Sequence, residues 1–255
     1  MKQESVIPKV VVFDLDYTLL RPSEQFEAAG YVRAGAEFGL MLDVNRWGQA
    51  RRAAYAAIAA RREAIGLIHD EEQLSIIARA LIEGLGGGPE SAVEQAAQAI
   101  IEAWSRAENF SLYEDVEPCL ETLRAAHLRM AVLTNTLGHG AAEVVAHMGL
   151  DRYLEVAVSS AETGAVKPAP RMFSALFALM KVVPSDCVMV GDSLQDDVEG
   201  AVAVGAGAVL LDRSDRSIAG STSVVVGPDD TAVPRITSLV ELPAALDLPV
   251  HIHER

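Results

Sequence analysis

Strand-length runs of apolar, often β-branched residues alternate with helix-length segments through most of this chain, and that alternation limits its fold more than any other feature. The runs are residues 10–13 (VVVF), 130–133 (MAVL), 154–158 (LEVAV), 187–190 (CVMV), 208–211 (AVLL) and 224–226 (VVV). Segments with helical spacing lie between them, at 118–126, 140–148, 171–180 and 196–204. Lengths of this kind imply βαβ units and an α/β fold built on a doubly wound parallel sheet. Gly149 and Gly205 stand where two of the helices should end in a left-handed residue.

One long insertion breaks the alternation. From residue 21 to about 109 no convincing strand is present and alanine is abundant, as in WGQARRAAYAAIAARREAIG and SAVEQAAQAIIEAWSR. Alanine favours helix, so the spacing predicts a smaller all-helical domain over 21–109, inserted directly after the first strand. The rest, 1–20 and 110–255, forms the sheet domain. The glycine run in EGLGGGPES (83–91) is not preceded by a strand or followed by GK[ST], so it reads as a connector rather than a phosphate loop.

In an open parallel sheet, ligands bind beyond the carboxyl ends of the strands. The polar residues that follow each run are therefore candidates for a site. Asp14 and Asp16 follow the first run, Thr134 and Asn135 the second. Lys167 lies beyond the third, and Asp192, Ser193, Asp196 and Asp197 follow VMVG. Taken singly, each has a local use. Acids after strands cap helices, Ser193 and Asp196 match a capping box, Thr134 can satisfy a loop backbone group, and a lysine before Pro168 can sit on an exposed extended loop. Together, acids, a lysine and a hydroxyl converge on one sheet edge. A carboxylate pair such as Asp14 and Asp16 calls for a cation between its members.

The chemistry that uses such a set is phosphoryl transfer through an aspartyl phosphate. A carboxylate attacks phosphorus only when the negative charge on both partners is neutralised. Mg²⁺ suits that task, because it takes hard oxygen ligands from one or two carboxylates and a substrate phosphate. A second acid must carry a proton to the leaving oxygen and later remove one from water. A lysine and a hydroxyl hold the transferring oxygens.

These stretches resemble the four motifs of the haloacid dehalogenase-like (HAD) superfamily. FDLDYTLL is similar to the first, VLTNT to the second, AVKPAPRMF to the third and GDSLQDDVEGA to the fourth. The resemblance covers 9–20 and about 110–213. It implies a Rossmann-like core, with 21–109 as a helical cap that selects substrate. It further implies Asp14 as nucleophile, Asp16 as general acid/base and Thr18 as support for the loop carrying Asp16. Thr134 and the backbone around Asn135 would bind the phosphoryl group, and Lys167 would orient phosphate and nucleophile. Mg²⁺ would be held by Asp14, Asp192 and the main-chain carbonyl of Asp16. By spacing Asp197 is the second acid of the fourth motif, with Asp196 as a substitute. An acid at position 16, where the dehalogenases carry tyrosine, points to the phosphatase branch. His127 stands where the family pattern often has a turn glycine, and Ala169 replaces a frequent acid.

The expected activity is hydrolysis of a small phosphorylated metabolite: a phosphoglycolate-like acid, a sugar phosphate or a nucleotide. A phosphomutase would use the same nucleophile, and a receiver-type phospho-aspartate switch uses similar residues. A receiver, however, places its aspartate after a later strand and has no large insertion. Arg51, Arg52, Arg61 and Arg62 read as a solvated face, with Tyr55 and Ile58 turned inward. Phe26 and Tyr31 fit core packing as well as a cavity wall. The net charge of −15 disfavours nucleic acid and anionic membranes as partners. Cys119 and Cys187 make no disulfide framework, and the N-terminal stretch lacks the apolar run of a signal peptide. These features fit a soluble, reduced, cytoplasmic protein, and His251 and His253 make only an incomplete metal site.

Overall fold

A computed structural model describes residues 7–65, 70–135, 141–213 and 232–248. Eight strands are found there: β1 Val10–Phe13, β2 Leu20–Pro22, β3 Phe110–Leu112, β4 Arg129–Thr134, β5 Val156–Ser159, β6 Cys187–Gly191, β7 Gly207–Leu211 and β8 Arg235–Ile236. Six form one sheet in the order β5-β4-β1-β6-β7-β8, every neighbouring pair parallel. The chain runs outward from β1 through β4 to β5, then returns to the other side of β1 with β6 and continues to β8. This is the doubly wound Rossmann order, and its switch point falls between β1 and β6.

Central strands of a parallel sheet are covered on both faces and so read as continuous apolar runs rather than alternating ones. Accordingly every residue of β1 and β6 is buried. Against one face packs the helix Pro170–Met180. Proline at its first turn suits a position without an intrahelical N–H partner, and Met172, Phe173, Leu176, Phe177 and Met180 recur along its inward stripe. Gly149 and Gly205 take positive φ, 66° and 83°, where the sequence placed helix ends. His127, in the turn before β4, also takes positive φ, 59°. That conformation is less unfavourable for histidine than for most side chains.

The described residues divide into two compact units. One takes those up to Arg21 and those from Leu112 onward; the other takes Pro22–Ser111. The second holds four α-helices: α1 Ala28–Glu37, α2 Trp47–Ile65, α3 Asp70–Leu85 and α4 Glu90–Trp104. It has a core of its own. Val93, Ala96, Ala97 and Ile100 line the buried stripe of α4, and Phe26 packs edge-on to Trp104 with centroids 4.7 Å apart. Phe26 and Tyr31 are thus core residues of this unit. On α2, Ile58 is buried and Tyr55 half-buried, while exposed Arg61 pairs with Glu72 of α3 at 2.7 Å. The side chain of Arg62 lies outside the described residues.

Three strands escape sequence pattern: β2, β3 and β8. With two or three residues each, they are too short to display a period; β2 and β3 pair with each other at the two ends of the insertion. The run at 154–158 starts as a turn, Leu154 donating to the Leu150 carbonyl, and becomes strand only at Val156. The run at 224–226 lies outside the described residues. The helix expected over 196–204 begins earlier and differently, as a π-helical turn, Leu194–Glu199, that passes into a short α-helix, Gly200–Ala203.

Candidate active site

β1 and β6 carry the first two site residues to the switch point. The register pairs Phe13 with Val190, and the Asp14 N–H donates to the Val190 carbonyl at 3.0 Å. Asp14 therefore leaves β1 beside Gly191, and Asp192 follows directly. On the other side of β1, Thr134 ends β4 opposite Ser159 of β5.

Lys167 enters from the loop ahead of the helix Pro170–Met180, and Asn135 fixes its main chain. The Lys167 N–H donates to Asn135 Oδ1 at 2.7 Å, and Asn135 Nδ2 donates to the Lys167 carbonyl at 3.2 Å. The ammonium then lies between two carboxylates, 2.7 Å from Asp14 Oδ1 and 2.6 Å from Asp197 Oδ1. Lys167 and Asp197 are 2% and 1% exposed, so this is an interior ion triad and not the exposed loop lysine that local sequence permits. Burial alone would lower the lysine pKa. Asp14 and Asp197 outweigh that and raise it, keeping the ammonium protonated. Burial raises Asp14 and Asp197 above ordinary carboxylates despite the pull of Lys167, and the Asp192 charge raises Asp14 further.

The π turn explains why Asp197 rather than Asp196 meets the lysine. The Val198 N–H reaches back five residues to the Ser193 carbonyl at 3.3 Å, the spacing of a π turn. Ser193 Oγ caps the turn by accepting from the Asp196 N–H at 3.1 Å. Asp197 turns inward, and its second oxygen accepts from the Ser193 N–H at 3.0 Å. Cap and site thus coexist on adjacent residues. The side chain of Asp197 lies directly on Gly191, where an added Cβ would fall 2.1 Å from Asp197 Oδ2. Sequence reasoning passed over Gly191 and the Asn135 clamp. A glycine closing an otherwise apolar strand was the available signal for close approach; the clamp left none.

Asp16 sits half-buried in a tight loop wound around one carbonyl. Leu15 O accepts from the N–H groups of Thr18, Leu19 and Leu20 at 3.1, 2.9 and 2.8 Å. Tyr17 takes positive φ, 62°, a strained conformation for a bulky side chain. Thr18 is fully buried, and its hydroxyl, like that of Thr134, has no hydrogen-bond partner.

One oxygen from each of Asp14, Asp192 and Asp197 lies within 4.8 Å of the others. Three carboxylates and one ammonium leave two formal negative charges when all are ionised, and the oxygen donors are hard. A divalent cation such as Mg²⁺ fits both the charge and the donor chemistry. The sequence reading placed Asp197 behind the ligands; the geometry puts it within the same acidic cluster.

A doubly wound sheet with an acid–lysine–acid centre at its switch point defines an α/β protein with a charged catalytic-type edge. The sequence matches the haloacid dehalogenase-like hydrolases over residues 8–205, and the chain belongs to that family. It is 31% identical to a ribulose-1,5-bisphosphate 5-phosphatase of Halopiger xanaduensis, over 91% of this chain and 96% of that one. It is 28% identical to a glyceraldehyde 3-phosphate phosphatase of Methanopyrus kandleri, over 80% and 84%. Among solved structures, a HAD phosphatase from Thermococcus onnurineus is similar with a TM-score of 0.59 at 25% identity, over 93% of this chain and 97% of that one. The magnesium-bound HAD-hydrolase YfnB from Bacillus subtilis shares the fold, with a TM-score of 0.70 at 19% identity, over 95% and 100%.

Proposed function

We propose that this chain is a Mg²⁺-dependent phosphatase that hydrolyses a small phosphorylated metabolite through an aspartyl phosphate on Asp14. The observation that carries the reading is the buried Lys167 ammonium between Asp14 and Asp197, with Asp192 in the same acidic cluster. Asp14 is the nucleophile. Its carboxylate is anchored through one oxygen, Oδ1, by Lys167, which orients it toward phosphorus. Asp16 is the acid/base: it protonates the departing oxygen, then deprotonates the water that cleaves the acyl phosphate. The buried, unpartnered Thr134 hydroxyl is an open donor for a phosphoryl oxygen, alongside the backbone around Asn135. Asn135 itself holds the lysine in place.

Mg²⁺ would be held by Asp14, Asp192 and the Asp16 carbonyl with Asp197 beside them, and it would offset phosphoryl charge. Lys167 ties Asp197 to Asp14, so the arrangement of the acids follows from protein contacts. The unit Pro22–Ser111 is proposed as the cap domain that selects substrate. The two long-matching phosphatases named above act on phosphorylated sugars by name, which supports a sugar phosphate as the substrate class. No helix among the described residues is long and apolar enough to cross a membrane.

The test is phosphate release from a panel of sugar phosphates, phospho-acids and nucleotides, with Mg²⁺ and with chelator, using Asp14→Asn as control. Metal-dependent turnover lost in Asp14→Asn is expected. Turnover that survives both chelator and Asp14→Asn would remove the proposed chemistry. Activity that appears only when a sugar bisphosphate is added would point to a mutase.

A further inference from the structure

Arg213 lies just beyond the end of β7, far in sequence from the Asp16 loop, yet it touches that loop directly. Its Nη2 donates to the Thr18 carbonyl at 2.9 Å across 195 residues of chain. The guanidinium is held from two other directions. Asp115 accepts from both terminal nitrogens, Nη1 to Oδ2 at 3.0 Å and Nη2 to Oδ1 at 2.9 Å. The Tyr113 ring lies against it, with its centroid 3.8 Å from Cζ. Asp115 in turn accepts from Ser238 Oγ at 2.7 Å and from the Leu239 N–H at 2.9 Å.

Among the ion pairs of the described residues of the sheet unit outside the Lys167 triad, this pair is the one with both side chains largely buried. Arg213 and Asp115 side chains are only 10% and 12% exposed, whereas Arg129–Glu155 and Arg124–Glu121 are 39% or more exposed on both sides. A forked, desolvated guanidinium held by two oxygens has little freedom to move. The Asp16 loop needs such an anchor. Three N–H groups of the loop turn inward on the Leu15 carbonyl, and Tyr17 is held at positive φ. A backbone strained in this way persists only where its surroundings fix it. The Thr18 carbonyl is two residues beyond Asp16.

We propose that Arg213 and Asp115 act as a positioning pair that sets the Asp16 loop, and so the reach of its carboxyl to the departing oxygen. The idea rests on Asp16 being the acid of the proposed phosphatase. Neither residue touches the reacting atoms. Their loss should impair proton donation specifically, and should do so more as the leaving group becomes more basic.

The experiment compares kcat/KM, which reports the step in which the leaving group departs, on 4-nitrophenyl phosphate, whose phenol leaves readily, with kcat/KM on phenyl phosphate, which needs the proton more. The proteins are wild type, Arg213→Met, Arg213→Lys, Asp115→Asn and Asp16→Asn. Arg213→Met should lose about 10²-fold on phenyl phosphate and less than about tenfold on 4-nitrophenyl phosphate, within the range general acids supply. Arg213→Lys, which cannot fork, should fall between, and Asp115→Asn should shift the ratio the same way. The ratio of the two rates is independent of how much enzyme is folded, so partial unfolding of a variant does not hide the answer. An unchanged ratio in Arg213→Met, with Asp16→Asn showing the selective loss, overturns the positioning role alone. An unchanged ratio in Asp16→Asn overturns its acid assignment and this inference with it. Absence of hydrolysis in wild type of both these esters and the metabolite phosphates of the panel above overturns the phosphatase reading as a whole.

Discussion

Replacing Lys167 by methionine keeps much of the volume and removes the charge, and the structure sets the size of the effect. The ammonium bonds Asp14 at 2.7 Å and Asp197 at 2.6 Å, in a site only 2% exposed at the lysine side chain. Removing one partner of a buried ion pair costs about 3–5 kcal/mol. Because this lysine serves two acids, the upper half of that range is expected. At about 2–4 °C per kcal/mol for a chain of this length, Tm should fall by roughly 8–20 °C near pH 8. The loss should shrink at lower pH. Without Lys167 the two carboxyls are held still further above their ordinary value of 3.8. The folded variant then binds more protons than the unfolded chain in the window from that value upward, and its stability declines as pH rises through it. The assay is thermal unfolding of both proteins from pH 5 to pH 8, each with and without Mg²⁺. Mg²⁺ should raise the variant's Tm more than that of wild type, since a cation bound only to the folded state stabilises it. A Tm within about 1 °C of wild type at pH 8, or a deficit that grows toward pH 5, would refute the claim that the ammonium compensates these carboxylates.

Thr134→Val removes a buried hydroxyl that has no partner. Stability should be unchanged or rise by up to about 1 kcal/mol, while inhibition by inorganic phosphate weakens; a clear loss of stability would show that the hydroxyl is satisfied in the folded enzyme. Gly191→Ala places a Cβ 2.1 Å from Asp197 Oδ2. The overpacking should cost about 1–3 kcal/mol in denaturant unfolding and displace Asp197 from Lys167; wild-type turnover with unaltered stability would contradict it. Asp115 is pushed up by burial but brought below its ordinary 3.8 by hydrogen bonds from Arg213, Ser238 and Leu239. Its contribution to stability is complete above that value and lost as pH falls through the depressed one. Asp115→Asn should therefore narrow its gap to wild type in acid unfolding only below about pH 4, and a gap that closes by pH 6 would assign the effect to another group.

The sequence alone determined what repeats over short distances. A run such as VVVF is apolar at consecutive positions because its strand is covered on both faces, so the sheet strands long enough to show a pattern were legible where they lie among the described residues. The stripe of the helix Pro170–Met180 and the glycine ends at Gly149 and Gly205 were legible for the same local reason. Motif residues also pointed to one edge, since parallel strands bring their carboxyl ends together. Tertiary structure decided what spacing cannot encode. Lys167 reaches Asp14 across 153 residues and Asp197 across 30. A neighbouring acid at 196 was chemically equal until the π turn faced 197 inward over Gly191. Asn135, whose backbone reads as a phosphate binder, also gives its side chain to the lysine's main chain, a contact no spacing encodes. Arg213, Asp115 and Thr18 share no local pattern at all. Their association exists only because the sheet order brings the end of β7 to the loop after β1, where an arginine held by Asp115 satisfies a carbonyl of the buried Thr18.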